Sequence, residues 1–295
     1  MCVSIYYRYR FYLLATDPFT APRERNFSTC IKPQPLSLLS ITIACRAFLN
    51  SLKYSPEQVI AVERATTKQR ESKRWQEERQ FRITASNFGL VIKRQRNHPS
   101  LAKQVLYKRP TGSGVASLMW GQQHESDALE AYRKTLSSEN TLKEAGIFIS
   151  TCGFLGASPD GLVVCSGNSV KVVEVKCPSK ARHSTVQDMC SDESFYCSLN
   201  SNSQPRLKHT HEYYYQVQGQ MAVSGIHLCD FVVWTPKGCT IETIHFDEKF
   251  WNEKCYPPLR NFYFYLLLPE IIYPNHPDLP LNYSPFNVYS YHLLA

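Results

Sequence analysis

The 295-residue chain has no run of about eighteen apolar residues, the length that a membrane-spanning helix needs. Its best candidate, Leu36 to Leu49, is interrupted by Ser37, Ser40, Thr42 and Arg46, so the expectation is a soluble protein with no membrane partner. A secretory leader is not expected either. Arg8 and Arg10 fall inside the early apolar stretch, and Tyr12-Leu13-Leu14-Ala15 is too short for a signal core. There is no Cys-x-x-Cys pair, and the eleven cysteines are odd in number and scattered. That argues against a disulfide framework and for free thiols in a reducing, intracellular compartment. No internal repeat is visible. With 43% hydrophobic and 20% charged residues, the composition excludes a disordered tail, a collagen-like repeat and a coiled-coil rod. What is left is a domain large enough to bury its own core.

Charge is present, and it is concentrated. Residues 63–109 carry 13 Lys/Arg against 4 Asp/Glu, while the rest of the chain has 20 against 21. The whole excess of +8 therefore lies in one segment, as expected of a footprint for a polyanion, nucleic acid first. A solvated helix face explains a charge run equally well.

Residues 1–50 read as a weakly structured extension, with Pro18, Pro22, Pro33 and Pro35 separating short apolar pieces. Ser55-Pro56-Glu57-Gln58 is a helix start with a capping box, and predicts a helix over 56–70. A second start falls at Thr84, ahead of the helically spaced Phe88, Val91 and Ile92. After a Gly112-Ser113-Gly114 loop, a helix is expected over 115–137. Strands follow at 147–149, 161–164 and 170–177, the last two joined through Ser166-Gly167-Asn168. Residues 188–208 read as a polar surface excursion. A helix over 210–224 should end at Gly225, then strands at 231–234 and 240–246 are split by Pro236 and Gly238. Asp247 can cap a last helix, and the tail after Pro269 reads as irregular. The domain proper is expected over 51–270, with 271–295 a tail.

The chemistry centres on Val170 to Lys176. Period two puts Val170, Val172, Glu174 and Lys176 on one face. Charged groups at the end of an otherwise core-facing row cost stability unless compensated. A cation beside Glu174 would compensate, and so would plain exit of the strand into solvent. Ser158-Pro159-Asp160-Gly161 lies fourteen residues before Glu174, counted from Asp160. Antiparallel pairing would bring Asp160 beside Glu174 and supply two hard oxygen ligands that suit Mg²⁺. Glu125 shares a helical face with Leu129, Tyr132 and Leu136. It is either a carboxylate placed for a site or a first-turn residue favouring the helix dipole. A helix beginning near Thr84 would offer free N–H groups to a phosphate, with Arg79 adding a bidentate contact. Capping alone also explains Thr84 and Ser86. His209, His211, Cys190 and Cys197 match no standard zinc spacing. Cys177 has no base, and Phe262 to Tyr265 fits core packing better than base stacking.

Pro159-Asp160 followed by Glu174-Val175-Lys176 matches the PD-(D/E)XK nuclease signature. Four more segments occur in order: Trp75 to Arg79, Arg82 to Ser86, Trp120 to Glu125 and Tyr215 to Gln218. Over roughly residues 55–270 the chain resembles the YqaJ-type viral recombinase, or phage lambda exonuclease-like, family of that superfamily. The resemblance implies one α/β domain of the restriction-endonuclease-like class, a mixed central sheet flanked by helices. It further implies Mg²⁺-dependent (or Mn²⁺-dependent) 5′→3′ exonuclease action on duplex DNA ends, leaving a single strand for recombination. Asp160, Glu174, Glu125 and the Val175 carbonyl would hold the metal, and Lys176 would orient or activate the attacking water and steady developing negative charge. Arg79, Thr84, Ser86, Ser158 and Gln216 would grip a 5′-phosphate. The family also implies a ring-shaped homotrimer and a single-strand-annealing partner, and a DNA substrate would place the protein in a nuclear or virus-associated setting. The stretch from Lys176 to Gln216 is longer than in the phage enzyme. An endonuclease of the same superfamily and a non-catalytic DNA-binding platform are the alternatives that the sequence leaves.

Overall fold

The structure is a computed structural model that describes residues 38–96, 98–107, 115–165 and 169–273. The expected loop at 112–114, the turn at 166–168 and most of the tail lie outside the described residues.

The helices are α1 (Leu38–Ser51), α2 (Pro56–Ala65), α3 (Lys73–Gln80), α4 (Phe88–Lys93), α5 (His98–Leu106), α6 (Val115–Arg133), α7 (Val186–Met189) and α8 (Glu212–Ser224). A C-terminal run adds α9 (Glu248–Phe250), α10 (Tyr256–Phe262) and α11 (Leu268–Ile272). The strands are β1 (Ile83–Thr84), β2 (Thr141–Lys143), β3 (Phe148–Ile149), β4 (Leu155–Ala157), β5 (Gly161–Val164), β6 (Val170–Lys176), β7 (Cys197–Leu199), β8 (Pro205–Leu207), β9 (Leu228–Thr235) and β10 (Gly238–His245). The main sheet has five strands in the order β10-β9-β6-β5-β2. Its pairs are antiparallel except β6 with β9, which run parallel. A mixed sheet of this kind needs a covering layer on each face. Val217 and Met221 of α8 pack on Val172, Phe231 and Val233. Ala128 and Tyr132 of α6 pack on Val163, Val173, Val175 and Val232 on the other side. A smaller sheet, β1-β4-β3, lies beside it.

Local signals act where expected. Ser55 Oγ accepts from Gln58 N while Gln58 Oε1 accepts from Ser55 N, which completes the capping box. Gly225 takes φ 70° after α8, and Asp247 Oδ1 accepts from Phe250 N. The helix expected over 56–70 stops at Ala65, where Thr66 Oγ1 turns back to cap the helix end, donating to the Val62 carbonyl at 2.7 Å.

Three expectations are corrected. Residues 38–50 are not weakly structured. They form α1, whose Ile41, Cys45, Phe48 and Leu49 enter the largest core cluster; the interrupting Ser and Thr residues are compatible with a helix that buries one stripe. Residues 188–208 are more than a surface excursion, since they form the β7-β8 ribbon and bury Phe195, Tyr196, Cys197 and Leu207. Residues after Asp247 continue as helix to Ile272, through π-turns at Trp251–Cys255 and Tyr263–Leu267. Pro257-Pro258 and Pro269 follow those turns. The missing proline N–H groups loosen the i→i−4 ladder there and let an extra residue into each turn.

Arg82 ties three segments together. Its guanidinium donates to the Gly153 carbonyl at 2.8 Å, the Leu52 carbonyl at 3.1 Å, and Glu78 Oε2 at 2.8 Å. The two side chains are only 3% and 9% exposed. Removing one partner strands a buried charge. Arg82→Met should therefore lower unfolding free energy by about 3–5 kcal/mol, read as a lower denaturant midpoint at unchanged slope.

Candidate active site

The register of the main sheet builds the site. Gly161 pairs with Val173, and Asp160 N donates to the Val173 carbonyl at 2.9 Å, so Asp160 stands at the strand end beside Glu174, as the spacing predicts. Asp160 Oδ2 accepts from Val175 N at 2.7 Å. Glu174 is 2% exposed on the face that α8 covers. Gln216 Nε2 donates to its Oε1 at 2.6 Å, and Gln220 Nε2 donates to its Oε2 at 2.5 Å. Lys176 Nζ also pairs with Oε1 and lies 4.5 Å from the centroid of the Tyr213 ring. Gln220 is 1% exposed, so it is a buried donor one helical turn after Gln216 and not an exposed polar position. Its Oε1 is buried without a partner.

Glu125 comes in from α6, where buried Ala128 and Tyr132 hold the same helical face against the sheet. Tyr132 Oη donates to Asp230 Oδ2 at 2.5 Å, and Lys171 and Thr243 also donate to Asp230. This buried network was not anticipated from sequence; an acidic residue inside the apolar run of β9 is its only signal.

The carboxylates feel one another. Burial, then Glu174 and Glu125, pushes the Asp160 carboxyl well above its ordinary value, against Lys176 and the Val175 N–H. Burial also raises Glu125, opposed by Arg70, with Glu174 raising and Lys176 lowering it. Burial pulls the Lys176 ammonium down, but Glu174, Tyr213 and Asp160 outweigh it, so Lys176 is held above its ordinary value and stays charged. Burial, with Asp160 and Glu125, lifts the Cys177 thiol to about 12, which removes it as a nucleophile.

The donor set is hard oxygen in a locally excess-negative setting, which fits Mg²⁺ or Mn²⁺. Among the described residues no three His, Cys, Asp or Glu side chains close into a ready-made cage. Mg²⁺ does not need one, since it keeps waters and uses one or two carboxylates. The unassigned histidines have other work: His209 stacks on Tyr214, and His211 caps α8.

The second group surrounds Arg79. Its guanidinium lies 4.1 Å from the centroid of the Trp75 ring and donates to Ser158 Oγ at 3.4 Å and Thr84 Oγ1 at 3.5 Å. Trp75 Nε1 also donates to Ser158 Oγ, at 2.9 Å. Thr84 and Ser86 hydroxyls are 3.3 Å apart. Thr84 makes no side-chain helix cap, and α4 starts only at Phe88 behind a 3-10 turn, so the expected long helix N-terminus at Thr84 is absent. Gln216 is held at Glu174 and is not bonded to this group. Among the described residues no carboxylate pairs with Arg79; burial and then Arg70 lower it to about 10. A partly buried cation with hydroxyl partners and no carboxylate among the described residues is able to take an anion. A cavity of about 560 Å³ lies alongside α6, lined by Met119, Trp120, Gln123, Lys180 and Arg182 among others.

A mixed sheet between helices, with carboxylates at the end of its central antiparallel pair, places the chain in the restriction-endonuclease-like class of α/β domains. The chain belongs to the YqaJ-like viral recombinase domain family, whose pattern matches residues 74–227. The alkaline nuclease of Autographa californica nuclear polyhedrosis virus is 25% identical over 227 residues, covering 67% of this chain and 49% of the relative. The chain thus spans about half the length of that relative. The Shutoff and Exonuclease Protein from Kaposis Sarcoma Associated Herpesvirus has the same fold, with TM-score 0.50 at 13% identity over 81% of this chain and 75% of its own. A SOX–DNA complex matches with TM-score 0.50 and 13% identity over 77% of this chain and 72% of its own.

Burial of Asp160, and then repulsion from Glu174 and Glu125, has a stability cost. A carboxyl whose pKa is raised by folding binds its proton more tightly in the fold, so stability falls as pH rises from the ordinary carboxylate range, near about 4. Asp160→Asn keeps an acceptor for Val175 N and removes the charge. Without divalent ions it should be more stable than wild type at neutral pH by roughly 1–2 kcal/mol. Melting temperatures across pH check this: the gap must shrink on acidification.

Proposed function

We propose that this chain is a Mg²⁺-dependent deoxyribonuclease, served also by Mn²⁺, that degrades duplex DNA in the 5′→3′ direction from 5′-phosphorylated ends. One arrangement carries the reading: Asp160 and Glu174 lie together at a strand end, where Gln216, Gln220 and Lys176 hold Glu174, while Arg79, with no carboxylate partner among the described residues, donates to Ser158 on the adjoining segment.

Asp160 and Glu174 would be the principal ligands, with Glu125 and the Val175 carbonyl completing the protein's share. When bound, the cation supplies Lewis-acid polarisation of the phosphodiester and acidifies a water. The remaining work falls to the chain. Gln216 and Gln220 fix both Glu174 oxygens, so the carboxylate is oriented before substrate arrives. Lys176 keeps its proton, which makes it a poor base and a good donor to charge developing on the phosphate oxygens. Arg79, with Ser158, Thr84 and Ser86, takes the terminal phosphate and sets the register of the strand. Gln216, bonded to Glu174, contributes to that grip only through the ligand it holds.

Family membership supports the reading, and so does the viral alkaline nuclease relative, which also favours a virus-associated setting. Assembly as a ring-shaped homotrimer and hand-over of the exposed strand to an annealing partner belong to the same reading; light scattering on the purified protein tests the first.

The decisive assay offers linear duplexes with and without 5′-phosphate, and closed circles, with Mg²⁺. Phosphorylated linear duplex should be degraded and circles left intact. Asp160→Ala should abolish hydrolysis, Lys176→Met should lower the rate by about 100- to 1,000-fold, and Arg79→Ala should erase the preference for 5′-phosphate. Nicked circles would instead indicate an endonuclease, and binding without hydrolysis a platform.

A further inference from the structure

Arg70 has no part in the roles assigned above, yet it stands between the two groups. Its Nη2 is 3.5 Å from Glu125 Oε2, and it is near enough to Arg79 to lower that guanidinium's pKa. Its side chain is 54% exposed, so it has room to move.

The backbone beneath it is fixed. Gln69 has φ 41°, in the left-handed region that side chains disfavour. Its Nε2 donates to the Ala145 carbonyl at 2.9 Å and the Pro159 carbonyl at 2.7 Å. Pro159 precedes Asp160, so the Gln69 amide anchors the Arg70 backbone to the metal-site strand. The strain persists because those two bonds over-determine the turn. Only the Arg70 side chain is left to swing.

We propose that Arg70 is a phosphate-binding residue that Glu125 holds in reserve, and that transfer of Glu125 to a divalent cation releases the guanidinium to the substrate strand beside Arg79. The inference rests on the reading of Asp160, Glu174 and Glu125 as the cation site. Without a cation, Arg70 and Lys176 offset the carboxylates. With one, Glu125 has a dication for company, and that dication repels Arg70. An exposed ion pair is weak, so the exchange is easily made, and a phosphate offers the guanidinium a fork-shaped partner in return.

A double-mutant cycle reads this without turnover. Anisotropy of a labelled, 5′-phosphorylated duplex is measured in EDTA for wild type, Glu125→Gln, Arg70→Gln and the double variant. Circular dichroism confirms that each is folded. Glu125→Gln frees Arg70, and should tighten duplex binding about three- to tenfold and steepen the salt dependence by about one phosphate contact. In the Arg70→Gln background both gains should vanish. An equal gain with and without Arg70, or no gain at all, overturns the proposal, because loss of a negative charge alone would then account for the result. Mn²⁺ binding to wild type and Asp160→Asn by calorimetry runs in parallel. Absence of binding to wild type defeats the metal reading itself, whereas intact binding with a flat cycle defeats only the role of Arg70.

Discussion

The molecule is organised around keeping one carboxylate ionised inside a packed layer. Glu174 sits on the face of the central strand that α8 covers, where an unpaired charge would cost several kcal/mol. Three donors meet it: Lys176 from its own strand, and Gln216 and Gln220 from successive turns of α8. That requirement fixes both the rotation and the height of α8. It also accounts for an otherwise odd helix, one in which three glutamines are among the buried residues; the third, Gln218, uses its amide on the His245 carbonyl and the Asp247 N–H.

Once α8 is fixed, the cationic group follows. Gly219 lies so close to Phe88 that a Cβ there would run into its ring, and Gly89 lies as close to the backbone of Glu212. The two glycines let α4 and the turn before it press directly on α8. The hydroxyls of Thr84 and Ser86 are thereby set at a fixed distance from the acidic strand. Positive charge is spent in two ways around this arrangement. Arg74 and Arg82 neutralise Glu78 in the interior, while Arg79, among the described residues, meets an indole face and hydroxyls and no carboxylate.

Much of this was legible in the residues. The alternation of Val170 to Lys176, the fourteen-residue spacing to Asp160 and the caps at Ser55 and Asp247 depend on local periodicity and short-range hydrogen bonds, which sequence carries directly. What was not legible depended on tertiary partners. Leu38 to Ser51 packs in one core cluster with the C-terminal run, and although Asp247 announces where that run starts, no local signal announces how far it continues past its prolines. Phe195 and Tyr196 are buried in a stretch whose neighbours are polar. Gln220 reads as surface until Glu174 is known to face it. The basic block was visible as a total, but its division between internal pairs and an open guanidinium was not. Asp230 and its four-residue network were hidden for the same reason.

The π-turns in the last helical run set which of its residues face the core. An extra residue in an α-helix rotates everything downstream by about 100° around the axis, and a wide π-turn absorbs it. Leu259, Phe262 and Tyr263 point inward because the first of those turns has taken up its extra residue. Loss of a single residue between Trp251 and Cys255 would close the π-turn into ordinary α-helix and leave that stripe facing inward, whereas the same loss in the plain α-helical turns beyond it would turn the stripe toward solvent. The two π-turns are therefore the places where this run can change length by one residue and still present its core face to α1.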